Sequence, residues 1–205
     1  MNYLDFKNKM FDLGCFSIHQ VYAWKTDFDR NNFVRWTKKG LLIHLRQGYY
    51  TFPEYKSKPG FTLFFANRIY RPSYISLHTA LAFYGLIPEA VVQITSVTSL
   101  KTAGFKNSTG DYEYKNVREE LMFGYDVKPL TDGKSFQIAS PEKALLDLLY
   151  LYPFYNTEKE LENLRLDLDL IQDELNIQRM DEYMLKFGNK ALEKRVILMK
   201  NVCGL

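Results

Sequence analysis

Apolar positions near the start of the chain recur at helical spacing. Residues 3–12 carry Leu4, Phe6, Met10 and Phe11, with Gly14 behind them as a stop. Ser17 stands where an N-cap belongs, ahead of a short helix over 18–24 whose Val21 and Tyr22 face inward. Asp29 is placed to cap a third helix, 30–39, closed by Gly40. Residues 41–46 and 49–52 read as two strands around Gln47-Gly48, a hairpin with Gly where the turn needs positive φ. Three helices and a hairpin predict a winged helix-turn-helix over residues 1–58.

Beyond Pro59-Gly60, which reads as a turn and a boundary, the pattern changes. Ser76 can cap a helix over 77–84, stopped by Gly85 and Pro88. Residues 91–98 are β-branched and strand-like, and further strands are predicted over 112–117, 121–127 and 135–139. Ser140-Pro141 starts another helix, with Ser as N-cap, Pro at the first helical position and Glu142 in the first turn. After Tyr152-Pro153 the tail reads as amphipathic helices over 157–166, 170–185 and 190–200. The fold class that follows is α+β. A winged helix-turn-helix leads into a larger domain, 61–205, with a small mixed sheet, packed helices and a helical C-terminal tail.

The third helix changes the picture from fold to function. With Asn32 at zero and about 100° per residue, Trp36, Phe33, Thr37 and Val34 fall between about 40° and 200°. Lys38, Asn31, Arg35, Lys39 and Asn32 fall between about 240° and 360°. One half is expected to pack; the other holds only Arg, Lys and Asn, the residue types that contact phosphate, guanine and adenine. Lys25 and Arg30 flank it, and His44 and Arg46 alternate on the hairpin as wing contacts. Arg35 and Asn31 are expected to read bases, and Lys39 and Arg46 to hold phosphate. Trp24 and Trp36 read as core.

Charge points the same way. The chain of 205 residues carries a formal net charge of +3. Residues 1–60 hold ten Lys/Arg and five Asp/Glu, a balance of +5, which leaves −2 for the rest. A basic end on a near-neutral body fits a polyanionic partner there, duplex DNA. RNA is disfavoured, because no exposed aromatic pair on a strand offers a stacking platform. The two cysteines, Cys15 and Cys203, exclude a disulfide framework. The opening MNYLDFKNKMFD lacks a long apolar run, so neither a secretory signal nor a membrane partner is expected, and the cytoplasm is the expected compartment.

Enzymatic readings find little support. Asp111, Glu113 and Lys115 on an expected strand mimic a nuclease pattern, but the only carboxylates between 30 and 110 are Glu54 and Glu89, so one polar strand face is the better reading. His19, His44 and His78 lack metal spacing. Glu142, Lys143 and Asp147 share one helix and read as ion pairs with their surroundings. No catalytic residue, metal or cofactor is expected.

Several runs together carry a resemblance. They are Tyr74-Ile-Ser-Leu-His-Thr-Ala-Leu-Ala-Phe-Tyr-Gly-Leu-Ile-Pro-Glu89, Ile94-Thr-Ser-Val-Thr98 and Ile138-Ala-Ser-Pro-Glu-Lys-Ala-Leu-Leu-Asp-Leu-Leu-Tyr150. Arg35-Trp-Thr-Lys-Lys-Gly-Leu41, Arg46-Gln-Gly-Tyr-Tyr50, Leu164-Arg-Leu-Asp167 and Phe187-Gly188 extend it over nearly the whole chain. In this order they resemble the AbiEi antitoxin family. The resemblance implies a bacterial type IV antitoxin associated with phage resistance. Its winged helix would repress the toxin–antitoxin operon at inverted repeats, with two copies on DNA as a possible homodimer. Its C-terminal domain would neutralise a nucleotidyltransferase-like toxin without forming a stable complex with it; the residues themselves leave direct contact open. The alternatives are a plain winged-helix transcriptional regulator and a protein-interaction module with a basic docking helix.

Overall fold

The computed structural model describes residues 2–205. Asn2 caps the first helix, α1 (Tyr3–Met10), which turns Phe6 and Met10 inward one helical turn apart. Strand β1 (Cys15–Ser17) follows. Ser17 and Gln20 then form a reciprocal capping box, with Gln20 N donating to Ser17 Oγ at 3.3 Å and Ser17 N to Gln20 Oε1 at 2.8 Å. That pair starts α2 (Ile18–Trp24). The Asp29 carboxylate accepts from Asn31 N at 2.9 Å and opens α3 (Asn31–Lys38). Strands β2 (Ile43–Arg46) and β3 (Tyr49–Thr51) complete a three-stranded antiparallel sheet in the order β1-β3-β2. Gly48, at φ +78°, makes the turn between them.

The hairpin strands are shorter than the alternation predicts. Leu41 and Leu42 are held outside β2 because both of their N–H groups donate to Trp36 O. The core of this part is aromatic. Phe6 lies 4.7 Å from Trp36, 5.5 Å from Phe16 and 5.6 Å from Phe28, centroid to centroid. Trp24 departs from its expected core role, at 36% exposure on the last turn of α2.

Residues 61–69, for which the pattern predicts no element, form α4 (Phe61–Ile69). Phe61, Phe64, Phe65, Ala66 and Ile69 are all buried, so the helix has no polar stripe to give it away. It packs on a six-stranded mixed sheet formed by β4 (Ser73–Ile75), β5 (Gln93–Thr98), β6 (Ala103–Asn107), β7 (Gly110–Asn116), β8 (Tyr125–Pro129) and β9 (Ser135–Ala139). The order is β6-β7-β5-β4-β9-β8, with β4–β9 and β5–β7 parallel and the other pairs antiparallel. Tyr114 of β7 donates its hydroxyl to Ala66 O in α4 at 2.8 Å. The opposite face meets α5 (Leu77–Phe83) and α6 (Pro141–Leu151), where Thr95 N of β5 donates to the Thr79 hydroxyl of α5 at 2.8 Å.

Ser140 and Pro141 start α6 as expected, with Lys143 N donating to Ser140 Oγ. Ser76 does not cap α5; its hydroxyl donates to Asp147 instead. The tail consists of α7 (Glu158–Glu162), α8 (Leu168–Glu174), α9 (Ile177–Phe187) and α10 (Lys190–Cys203). The single helix expected over 170–185 breaks at Asn176, which caps α9 while its own N–H donates to Glu142 Oε1. No helix among the described residues is long and apolar enough to cross a membrane.

The first sixty residues share a buried core with the rest. The Tyr55 ring lies 4.8 Å from that of Phe61, Asn107 Nδ2 donates to Leu45 O at 2.7 Å, and Lys58 pairs with Asp132.

Candidate nucleic-acid interface

Helix α3 is held from behind by Phe33 and Trp36, both buried, and Phe33 stacks on Tyr50 of β3 at 4.8 Å and 9°. That fixes which residues face out: Asn31, Val34, Arg35, Lys38 and Lys39. On the helical wheel the exposed arc runs from about 200° to 340°. The helix is therefore turned by some tens of degrees from the orientation expected of its polar half. Both edges change as a result. Asn32, expected on the outer face, is 4% exposed and accepts a hydrogen bond from Arg35. Val34, expected to pack, is 54% exposed.

The hairpin is likewise only half as expected. His44 is exposed and lies beside Tyr50, 5.2 Å between ring centroids. Arg46 does not share its face. The pairing of β2 with β3 slips between His44 and Arg46, and this irregularity re-aims the arginine. Its Nη1 donates to Ile69 O at 2.6 Å, and its guanidinium lies 4.6 Å from the Tyr70 ring and 4.3 Å from Phe105. Arg46 joins the first sheet to the second part of the molecule and is not a wing contact.

Charges around α3 are polarised. On the α2 side, Asp5, Asp27 and Asp29 line a cleft of about 410 Å3 with Trp24, Phe28 and Asn32. Lys25 pairs there with Asp27 at 2.9 Å, and Lys25 holds that carboxyl below its ordinary range. Arg35 lies 3.6 Å from Asp29. On the hairpin side a smaller cleft of about 240 Å3 is lined by Phe33, Val34, Thr37, Lys38, His44 and Tyr50, with no carboxylate. Arg30, Lys38 and Lys39 are exposed and form no ion pair among the described residues. The hairpin side thus holds Arg30, Lys38 and His44, with Asn31 on the arc beside them, while Lys39 lies farther round the exposed arc, past Arg35. Arg35 and Lys25 sit at its acidic border, and Asn32 and Arg46 are withdrawn.

Against known proteins, no protein-family model and no curated protein matches the chain.

Other polar clusters lie away from this face. Lys143 and Asp147 form a fully buried ion pair one turn apart on α6. Tyr74 and Ser76 donate to Asp147 Oδ2 at 2.9 and 2.8 Å, and Lys143 Nζ donates to the Tyr74 hydroxyl at 2.8 Å. Burial pushes the Lys143 ammonium below its ordinary pKa against the pull of Asp147, and burial pushes the Tyr74 hydroxyl well up. Glu142 pairs with Arg179 at 3.1 Å. Glu113 pairs with Lys115 at 2.7 Å, and Asp111 reaches Lys106 at 4.0 Å. Among the described residues no three metal-ligating side chains converge. A cleft of about 510 Å3 lies beside His78, Glu113, Tyr152 and Tyr155, with His78 Nε2 3.3 Å from the Tyr155 hydroxyl. Burial lowers the His78 pKa below 6.5. Cys15 and Cys203 are buried thiols, and burial pushes Cys15 up to about 12.

Proposed function

We propose that the protein is a DNA-binding antitoxin of the AbiEi type. Residues 1–58 act as a winged helix-turn-helix, with α3 as recognition helix and β2–β3 as wing. The observation that carries the DNA-binding half of this reading is the polarised face of α3; the antitoxin half rests on the resemblance of the sequence to that family. Asn31, Lys38 and Lys39 project from one side of a helix whose hairpin-side cleft holds no carboxylate, with His44 of the hairpin beside it. The element order helix, strand, helix, helix, strand, strand, with the last two strands as a hairpin, supports it as the layout of a winged helix. On this reading the protein acts in the bacterial cytoplasm and represses its own operon as a homodimer on inverted repeats. Residues 61–205 neutralise a nucleotidyltransferase-like toxin, and no catalysis or cofactor is involved.

Co-expression tests the antitoxin half. The product of the neighbouring gene is expressed with the full-length protein, or with a K38A/K39A variant, each from a foreign promoter so that repression cannot contribute. Growth rescue by both is the expected result. Rescue by neither removes the antitoxin role and leaves a plain transcriptional regulator.

A further inference from the structure

Val34 stands out on the exposed arc of α3. It is the one apolar member of that arc, more than half exposed, with Asn31 three residues before it and Lys38 four residues after it. Side chains at these spacings are neighbours on a helix surface, so Asn31, Val34 and Lys38 form one outward row. Beside this row the hairpin-side cleft has the stacked Phe33–Tyr50 pair among its walls, and His44 lines it too. The Thr37 hydroxyl there is buried without a hydrogen-bond partner. A β-branched residue in a helix brings no gain in propensity, and at this exposure it brings little burial. The occupant of the row is narrowed by its setting. The cations beside it and the absence of a carboxylate from the cleft select a polyanion. A rigid helical row with Asn at one end and Lys at the other suits the base edges of the major groove. The apolar group presented there is the C5-methyl of thymine.

We propose that Val34 is a specificity-determining residue that reads a thymine methyl in the major groove, so that the preferred duplex places a thymine opposite the middle of α3. This inference rests on the DNA-binding reading above. Asn31 and Lys38 then contact the positions on either side, and removing either methyl partner, on protein or on DNA, has the same effect.

The test uses the full-length protein. A duplex enriched from a random-sequence pool is resynthesised with each thymine replaced, one at a time, by deoxyuridine, which lacks only the methyl. Binding is read by fluorescence anisotropy for wild type, V34A and V34T. At one or two thymines wild type should lose about three- to tenfold in affinity, the scale of one buried methyl. V34A should bind the thymine duplex as weakly as wild type binds the uracil one and show no further discrimination, while V34T, which keeps a branched methyl, should recover part of it. Wild type that binds DNA but treats thymine and uracil alike everywhere overturns the inference and leaves the DNA reading standing. A thymine preference that survives in V34A does the same. A V34A chain that fails to fold shows Val34 to be structural and overturns it too. Failure to enrich or bind any duplex overturns the DNA-binding reading and this inference with it.

Discussion

Arg46→Ala separates two places where an arginine at that position could act. Its Nη1 donates to Ile69 O at 2.6 Å, and its guanidinium lies over Tyr70 and Phe105 at 4.6 and 4.3 Å. A hydrogen bond from a charged group contributes about 1.5–3 kcal/mol. A partly exposed cation–π contact adds roughly 0.5–1 kcal/mol. These terms share one side chain and overlap, which places the loss at about 2–4 kcal/mol. A chain of 205 residues has an unfolding entropy of about 0.4 kcal/mol/K, from about 2.1 cal/mol/K per residue. The thermal midpoint of R46A should therefore fall by roughly 5–9 °C. Circular dichroism melts of wild type, R46A, R46K and H44A measure it. R46K should recover only part of the loss, because an ammonium lacks the planar fork that stacks and donates together. H44A should melt within about a degree of wild type, as exposed substitutions do. At a temperature where all four are folded, R46A should bind DNA within about twofold of wild type, since no phosphate contact is removed. An R46A protein that melts with wild type yet binds every duplex more weakly would return Arg46 to the wing.

Trp36→Ala should abolish folding of the N-terminal part, because Trp36 packs 4.7 Å from Phe6 and 5.2 Å from Tyr3 and a lost core aromatic costs about 3–5 kcal/mol; a folded variant that only loses DNA binding contradicts this. Lys143→Met should destabilise strongly, by about 3–5 kcal/mol, because it leaves Asp147 buried without its cation. The double variant K143M/D147L should recover much of that loss in denaturant titration, and a double variant no better than K143M counts against the pairing. Burial holds the folded-state pKa of His78 below 6.5, so the unfolded chain takes up a proton first as pH falls. Stability should therefore drop on acidification from about pH 7 to 5, and His78→Asn should flatten that part of the curve; an unchanged slope in the variant removes His78 as its source.

Local chemistry was the legible part of the chain. Ser17 with Gln20, Ser140-Pro141 and Gly48 each start or turn an element where a cap or turn residue belongs, because those interactions lie within a few residues. Helix α4 escaped because it is buried nearly all round, and periodicity shows only helices that keep one wet side. Strand β4 is three residues long, too short for alternation to register. At the candidate interface, residue types were legible and orientation was not. Asn32 and Val34 sit at the two edges of the wheel, and a modest rotation, set by Phe33 on Tyr50 and Trp36 on Phe6, exchanges them. Arg46 has the same parity as His44, and only a slip in strand pairing, which depends on the partner strand, sends it elsewhere.

On the proposed reading the exposed face of α3 binds duplex DNA through a small set of cations that have no ion-pair partner among the described residues. Arg30, Lys38 and Lys39, with His44 beside them, offer about three to four phosphate contacts, so the log–log dependence of affinity on salt should have a slope of roughly −3 to −4 per protomer. Fluorescence anisotropy of the full-length protein on the enriched duplex, across a range of salt concentrations, measures that slope directly. K38A/K39A should weaken binding to all sequences and reduce the slope by about two. Affinity that is unchanged between low and physiological salt, or a slope that K38A/K39A leaves intact, would contradict the account.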